Sequence, residues 1–321
     1  MGRPFSERVV GEDWRRDVET WIGDRLHRHG HTITGPILQP RVRPWSTHIT
    51  VPTDAGRLWF KANCAAQAFE PRLHAELARL APGTVDAPYG IEPDQGWMLT
   101  RDRGTPLGDS HEPTADDWRL VLAETAALQV TLAGRADGMR ATGLPDCSPA
   151  TVVDRFDRLV AILAALPEDH PSRIDADVGS LLHQARPAIV DAAHELAESS
   201  LPSTWQHGDL HPWNVFAVGP GSLRLFDFGD GQWAHAAELL SVPFGWIRER
   251  STLAWPDVLE AYGTAWRVEP AELESQWIAT GLTQPVNRAM TWWACLGEAT
   301  AAEWETWGDA PLHHLTRVLD P

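Results

Sequence analysis

Lysine is almost absent from this 321-residue chain: of 27 basic side chains, 26 are arginine and Lys61 alone is lysine. A planar guanidinium does not imitate a compact ammonium with rotatable donors, so the sole lysine marks a position that needs one. Cysteine is scarce as well. Cys64, Cys147 and Cys295 are odd in number, far apart and without a CxxC pair, which excludes a disulfide framework or a zinc ribbon and points to a reducing cytosol. No stretch approaches the roughly 20 uncharged apolar residues of a membrane helix. The opening MGRPFSERVV lacks the apolar core of a signal peptide, so a cytoplasmic protein is expected. Gly2 and Ser6 fit the loose myristoylation pattern, a match short enough to arise by chance. Positive charge is also in deficit. The formal net charge of -17 argues against nucleic acid or an anionic membrane as partner, because both are gripped by clustered Lys and Arg.

What is present is globular: 43% hydrophobic and 22% charged residues suit one large or two medium domains. The negative charge is unevenly spread. Residues 1–102 carry 13 basic and 13 acidic side chains, whereas residues 103–321 carry 14 basic against 31 acidic. Patterning changes at the same place. A helix is expected over 12–29, strands near 35–41, 46–52 and 57–62, a short helix over 66–80 from the spacing of Phe69, Leu73, Leu77 and Leu80, and two short strands within 87–101. Lys61 falls in GRLWFKAN, the second strand of a hairpin that follows the turn-like PTDAG. From 114 onward the periods are helical, over 114–134, 150–166 and 176–199, and again from about 235 to the end. The exception is 203–230, which reads as loop, strand, turn, strand and loop. The fold class is therefore α+β: a small sheet lobe over 1–102 and a larger, mainly helical lobe over 103–321.

The exceptional stretch holds the chemistry. In PSTWQHGDLHPWNVF, Asp209 follows His207-Gly208, Asn214 comes five residues later, and Asp227-Phe228-Gly229 comes thirteen residues after Asn214. Those spacings match the catalytic loop of kinases and their D-F-G turn. Phosphoryl transfer needs a carboxylate to orient the acceptor hydroxyl, and Mg²⁺ on the ATP phosphates needs hard oxygen ligands on rigid backbone. Asn214 at the start of one short strand and Asp227 at the end of its partner would set two such oxygens side by side. A different chemistry is also written here: His207, Asp209 and His211 form an H-x-D-x-H string that could ligate zinc or iron in a hydrolase. That reading leaves Asn214, the D-F-G turn and Lys61 without a purpose.

On HGDLHPWNVF, LFDFGD, LWFKAN and GWMLTRDRG the chain resembles the aminoglycoside phosphotransferase-type small-molecule kinases over about residues 35–310. The resemblance implies a two-lobed protein-kinase-like fold and ATP-dependent transfer to a hydroxyl of a small molecule. It implies Asp209 as the catalytic base or hydroxyl-orienting group, and Asn214 and Asp227 as Mg²⁺ ligands. Lys61 would contact the α- and β-phosphates of ATP, paired with Glu70 or, failing that, Glu76. The backbone of Leu99 to Asp102 would meet the adenine, with Thr100 and Asp102 as contacting positions. His207 and His211 would support the loop rather than bind metal.

The departures from the pattern shape the reading. The loop reads HGD without the Arg of HRD, and no APE motif follows D-F-G, which argues against a phospho-regulated protein kinase. No G-x-G-x-x-G precedes Lys61. The corresponding turn is PRVRPWSTHIT, where Ser46 and Thr47 are the candidates for capping the β-phosphate. Asp230 and Glu238 follow the D-F-G turn without a fixed role. Eleven of the 17 Trp lie between 205 and 307; Trp293, Trp304 and Trp307 share a helical face with Glu303 beside them, either as core beneath an acidic surface or as walls for a cationic, ring-containing acceptor. Loss of catalysis with retained nucleotide binding, and nucleotidyl transfer, are the other readings. Oligomeric state is not legible.

Overall fold

The computed structural model describes residues 3–219 and 221–320; Gly2, and with it the myristoylation pattern, lies outside them. A single turn of helix α1 (Phe5–Arg8) leads into α2 (Glu12–Arg28), whose Val18, Ile22 and Leu26 recur every fourth residue and bury one stripe. Glu12 and Asp13 in its first turn, and Arg25 and Arg28 in its last, suit the helix dipole. The sheet comprises β1 (Leu38–Val42), β2 (Ser46–Thr53), β3 (Gly56–Asn63), β4 (Gly90–Glu92) and β5 (Trp97–Arg101), antiparallel throughout in the order β1-β2-β3-β5-β4. Ile49, Val51, Leu58, Phe60 and Leu99 on one face form a core with α2. The opposite face looks onto the second lobe. Between β3 and β4 runs α3 (Glu70–Leu80). The helical pattern expected from 66 breaks into a 3-10 turn at Ala65–Gln67, because Pro71 is tolerated only in a first turn and the α-helix restarts at Glu70.

The second lobe is helical: α4 (Leu107–Ser110), α5 (Ala115–Leu132), α6 (Ala136–Ala141), α7 (Pro149–Ala164) and α8 (Ala176–Glu198) precede the catalytic stretch, and α9 (Ser241–Arg250), α10 (Trp255–Trp266), α11 (Pro270–Cys295), α12 (Ala301–Trp307) and α13 (Ala310–Thr316) follow it. The stretch contains β6 (Ser203–Gln206), the hairpin β7 (Val215–Gly219) with β8 (Ser222–Leu225), and β9 (Gln232–His235). β9 pairs antiparallel with β6; the sequence pattern reads β6 as loop, and it passes from the loop at 230 to helix at about 235 with no strand for β9. Its four residues are all buried, so no alternation marks it. The fold is that of a two-lobed, protein-kinase-like α+β protein. No helix among the described residues is long and apolar enough to cross a membrane.

Candidate active site

The hairpin explains how two distant motifs meet. Val215 pairs with Leu225, and the Phe226 N–H donates to the Asn214 carbonyl at 3.2 Å, so Asn214 and Asp227 emerge side by side at the open end of β7 and β8. Asp227 takes φ 64°, a left-handed conformation costing a non-glycine residue about 1–3 kcal/mol. The neighbours enforce it. Phe228 is buried against His74, Trp205 and His207 with ring centroids 5.2–5.7 Å away, and its N–H donates to Glu70 Oε1 at 2.9 Å. Gly208 is equally constrained: at φ 77° it lies so close to the Asp230 carbonyl that a Cβ would sit 1.9 Å from the oxygen.

Lys61 reaches from β3 to both sides. Its Nζ lies 2.9 Å from Glu70 Oε1 and 2.6 Å from Asp227 Oδ1. Burial opposes its charge, but Asp227 and Glu70 together raise its pKa above the usual lysine value. Burial likewise pushes Asp227 upward, and Lys61, with His48 and Arg41 adding, overrides it to hold the carboxyl well below its ordinary value. Glu70, fully buried, moves upward through burial. Glu76, the other candidate, is turned away and binds Arg79 at 2.6 Å.

Asp209 faces the same space. Asn214 Nδ2 donates to its carbonyl at 2.9 Å, leaving the Asn214 side-chain oxygen turned off the loop. Burial would raise the Asp209 pKa, but a hydrogen bond from His211 and the charge of Arg288 outweigh it, so the group is ionised at neutral pH. His211 Nε2 stands 3.3 Å from Asp209 Oδ2. His207 turns elsewhere, with Nε2 at 3.0 Å from the Phe226 carbonyl, and burial keeps it neutral. The H-x-D-x-H string therefore does not converge, and among the described residues no three His, Cys, Asp or Glu side chains are grouped to hold a metal.

Two adjoining spaces result. A cleft of about 590 Å³ between the lobes is lined by Arg41, His48, Lys61, Met98, Thr100, Arg101, Asp209, Trp213, Asn214 and Asp227, among others. A chamber of about 140 Å³ next to it is lined by Arg41, Trp45, Ser46, Gln67, Asp209, Asp227, Asp230, Arg288 and Trp292. Thr100 faces the cleft, its hydroxyl 3.4 Å from the Trp59 carbonyl. Asp102 does not line it: its carboxylate pairs with Arg57 and its N–H donates to the Arg57 carbonyl at 3.1 Å. The Leu99 carbonyl is also taken, by the Tyr89 N–H at 2.7 Å, so the stretch of backbone proposed for adenine is narrowed. Ser46 is buried and lines the smaller chamber rather than the cleft. Thr47 is spent within the sheet, donating to the Arg41 carbonyl and accepting from Gln39, each at 2.8 Å.

Other residues went unread in the sequence. Arg288 of α11 donates to Asp230 at 2.8 Å and to the Gly208 carbonyl at 3.1 Å, with Nη2 3.6 Å from Asp209 Oδ1. Asp230 also accepts from Gln67 at 3.0 Å. Arg41 and His48 enter the cleft from β1 and β2. No sequence signal distinguishes these arginines from 24 others, whereas the two-residue alternation of β2 would have put His48 on the Lys61 face. The aromatic expectation divides. Trp293 and Trp304 pack on each other and on His170, and Glu303 is the capping box of α12, taken by the Thr300 N–H at 2.8 Å. Trp292 and Trp307 instead meet Trp45 of the first lobe.

Comparison with known proteins bears on the fold and the family. Macrolide 2'-phosphotransferase MphH from Brachybacterium faecium is 17% identical, with 91% of this chain and 97% of that one covered at a TM-score of 0.59. An ethanolamine kinase from Plasmodium vivax is 12% identical over 86% and 81% at 0.59, and choline kinase LicA from Streptococcus pneumoniae is 13% identical over 95% and 99% at 0.59. At these identities the likeness concerns the fold. Among curated proteins no sequence match is found. The family profile of the phosphotransferase enzyme family matches residues 63–275, from the end of the lysine strand through the catalytic loop and into α11, and the chain belongs to that family.

Proposed function

We propose that the protein transfers the γ-phosphoryl group of ATP to a hydroxyl of a small molecule. One observation carries this reading: Lys61, backed by the buried Glu70, borders a single cleft of nucleotide size together with Asp209, Asn214 and Asp227. The donor set suits Mg²⁺, which takes few protein oxygens and completes its shell with phosphate and water. Asn214 and Asp227 would hold the ion, and when bound it would neutralise charge on the phosphates. Asp227 is held ionised and the Asn214 oxygen is unspent on the loop, as that role requires. Lys61, kept protonated, would draw the α- and β-phosphates. Asp209 accepts from the acceptor hydroxyl, aligns its oxygen on phosphorus and takes the proton late. A low pKa suits such a role because the transition state is loose and needs position more than basicity.

The acceptor is a small molecule reaching Asp209 from the chamber beside the cleft. The names of the three neighbours given above cite macrolides, ethanolamine and choline as what those enzymes act on, so hydroxylated antibiotics and amino alcohols head the panel. Incubation with Mg²⁺ and ATP across aminoglycosides, macrolides, peptide antibiotics, amino alcohols, sugars and nucleosides should yield one product heavier by a phosphate. Asp209→Asn should lower turnover on the order of 100- to 10,000-fold with nucleotide affinity retained. A product heavier by AMP, or undiminished turnover in the variant, overturns the reading.

A further inference from the structure

The chain lacks a glycine-rich phosphate loop, and the two hydroxyls that could replace it, Ser46 and Thr47, do not face the cleft. The sheet provides something else. Arg41 lies opposite His48 in the β1–β2 register, His48 opposite Lys61 in β2–β3, and Lys61 opposite Met98 in β3–β5. These four side chains form a row across adjacent strands on one face, and all four line the cleft. From Lys61 to Arg41 is two strand spacings, about 10 Å. Arg41 is also the one member of the row that borders both the cleft and the chamber holding Asp209, which is where a terminal phosphate would pass.

The charges in this space are unequally matched. Lys61 is compensated by Glu70 and Asp227, Arg288 by Asp230, and Arg103 and Arg224 by Asp86, while Arg101 stacks on Tyr89. Arg41 makes no ion pair among the described residues, and its Nε is buried without a hydrogen-bond partner. His48 Nε2 is in the same condition. Buried donors without acceptors are costly unless a ligand satisfies them. A guanidinium and a neutral imidazole, both unsatisfied and beside a protonated lysine, suit an anion rich in acceptor oxygens.

Resting on the phosphotransfer reading above, we infer that Arg41, with His48 beside it, grips the terminal phosphate of a nucleoside triphosphate in place of a glycine-rich loop. Burial, with Lys61 adding, keeps the His48 pKa down to about 4, so the ring is neutral before any phosphate arrives. The test is calorimetric titration of wild type, Arg41→Ala, Arg41→Lys and Arg43→Ala with ATP, ADP and adenosine in Mg²⁺. Arg43 is the exposed neighbour and serves as control. Arg41→Ala should weaken ATP binding about tenfold or more, the effect of one lost charge-assisted bond pair. ADP should suffer less and adenosine not at all, Arg41→Lys should recover part of the loss, and Arg43→Ala should bind as wild type does. Equal losses for ATP and adenosine would make Arg41 structural and overturn the inference, as would unchanged ATP affinity in both Arg41 variants. A wild-type protein that binds none of the three would overturn the phosphotransfer reading and this inference with it.

Discussion

Lys61 occupies a site only a few ångströms wide. Its ammonium has Glu70 on one side and Asp227 on the other, both within 2.9 Å, and the residue is 8% exposed. A guanidinium brings three nitrogens in a plane and cannot fit between two carboxylates set for a point charge without separating them. Lys61→Arg, though it keeps the charge, should therefore displace Asp227 and reduce kcat on the order of 100-fold, the scale of one lost transition-state contact. Steady-state assays against the acceptor found by the panel check this. Unaltered turnover would mean that charge alone suffices. The same residue shows how much of the site was legible. Lys61, Asp209, Asn214 and Asp227 could be read because their chemistry sits in short local strings or, for the lysine, in a count of one. Arg41 and Arg288 could not, because in a chain whose cations are almost all arginine a functional arginine looks like any other until the fold brings it to a carboxylate or a cleft.

At the scale of elements, α11 fastens the catalytic stretch to the rest of the second lobe. Besides Arg288, it carries Thr283 and Asn287, which donate to Glu238 at 2.7 and 3.1–3.2 Å, while Asn287 also donates to the Cys147 carbonyl at 3.0 Å. Glu238, left without a role by its sequence position, is thus an internal tie, 5% exposed. Burial pushes its pKa up to about 7 against the hydrogen bonds that favour ionisation. The sign follows directly. A carboxyl whose folded pKa exceeds its unfolded one contributes stability that is complete below about 4.5 and is lost as pH rises through about 7. The full swing is on the order of 3 kcal/mol. Thermal unfolding from pH 5 to 8 should show wild type losing stability relative to Glu238→Gln, whose amide does not titrate; parallel curves would refute the tie's titration. Helices such as α7 and α8 were legible because their apolar period is long. The short buried strand β9 and the capping role of Glu303 were not, since a four-residue buried run carries no period and a cap is told from a ligand only by what its carboxylate touches.

The two lobes are held by more than the chain that joins them. Trp45, in the turn between β1 and β2, stands edge-on to Trp292 and Trp307 with centroids 5.4 Å from each, and Arg8 of the first lobe reaches Glu298 of the second at 3.3 Å. Gln67 joins Asp230 across the same boundary. The Trp45 contact forms a wall of the chamber beside Asp209, so one side chain contributes both to lobe closure and to the shape of that chamber. Edge-to-face aromatic pairs contribute about 0.5–1.5 kcal/mol each beyond the area they bury. Trp45→Ala removes two such pairs from an interface that keeps its Lys61–Asp227 pair at 2.6 Å, its Asp86–Arg224 pair at 3.2 Å and the Gln67–Asp230 hydrogen bond. The lobes should then open more often while the cores built around α2 and around Phe228 stay intact, because Trp45 lies outside both and packs instead on the small cluster of Phe5, Val9 and Cys64. Hydrogen exchange should accelerate at residues 43–47 and at the end of α11, with β3, β5 and α5 protected as before. In turnover, the acceptor KM should rise while the affinity for ATP, which we assign to the row from Lys61 to Arg41, changes little. Exchange that accelerates across both lobes would show Trp45 to be part of a common core. A rise in the ATP constant alone would place the wall on the nucleotide side of Asp209 instead.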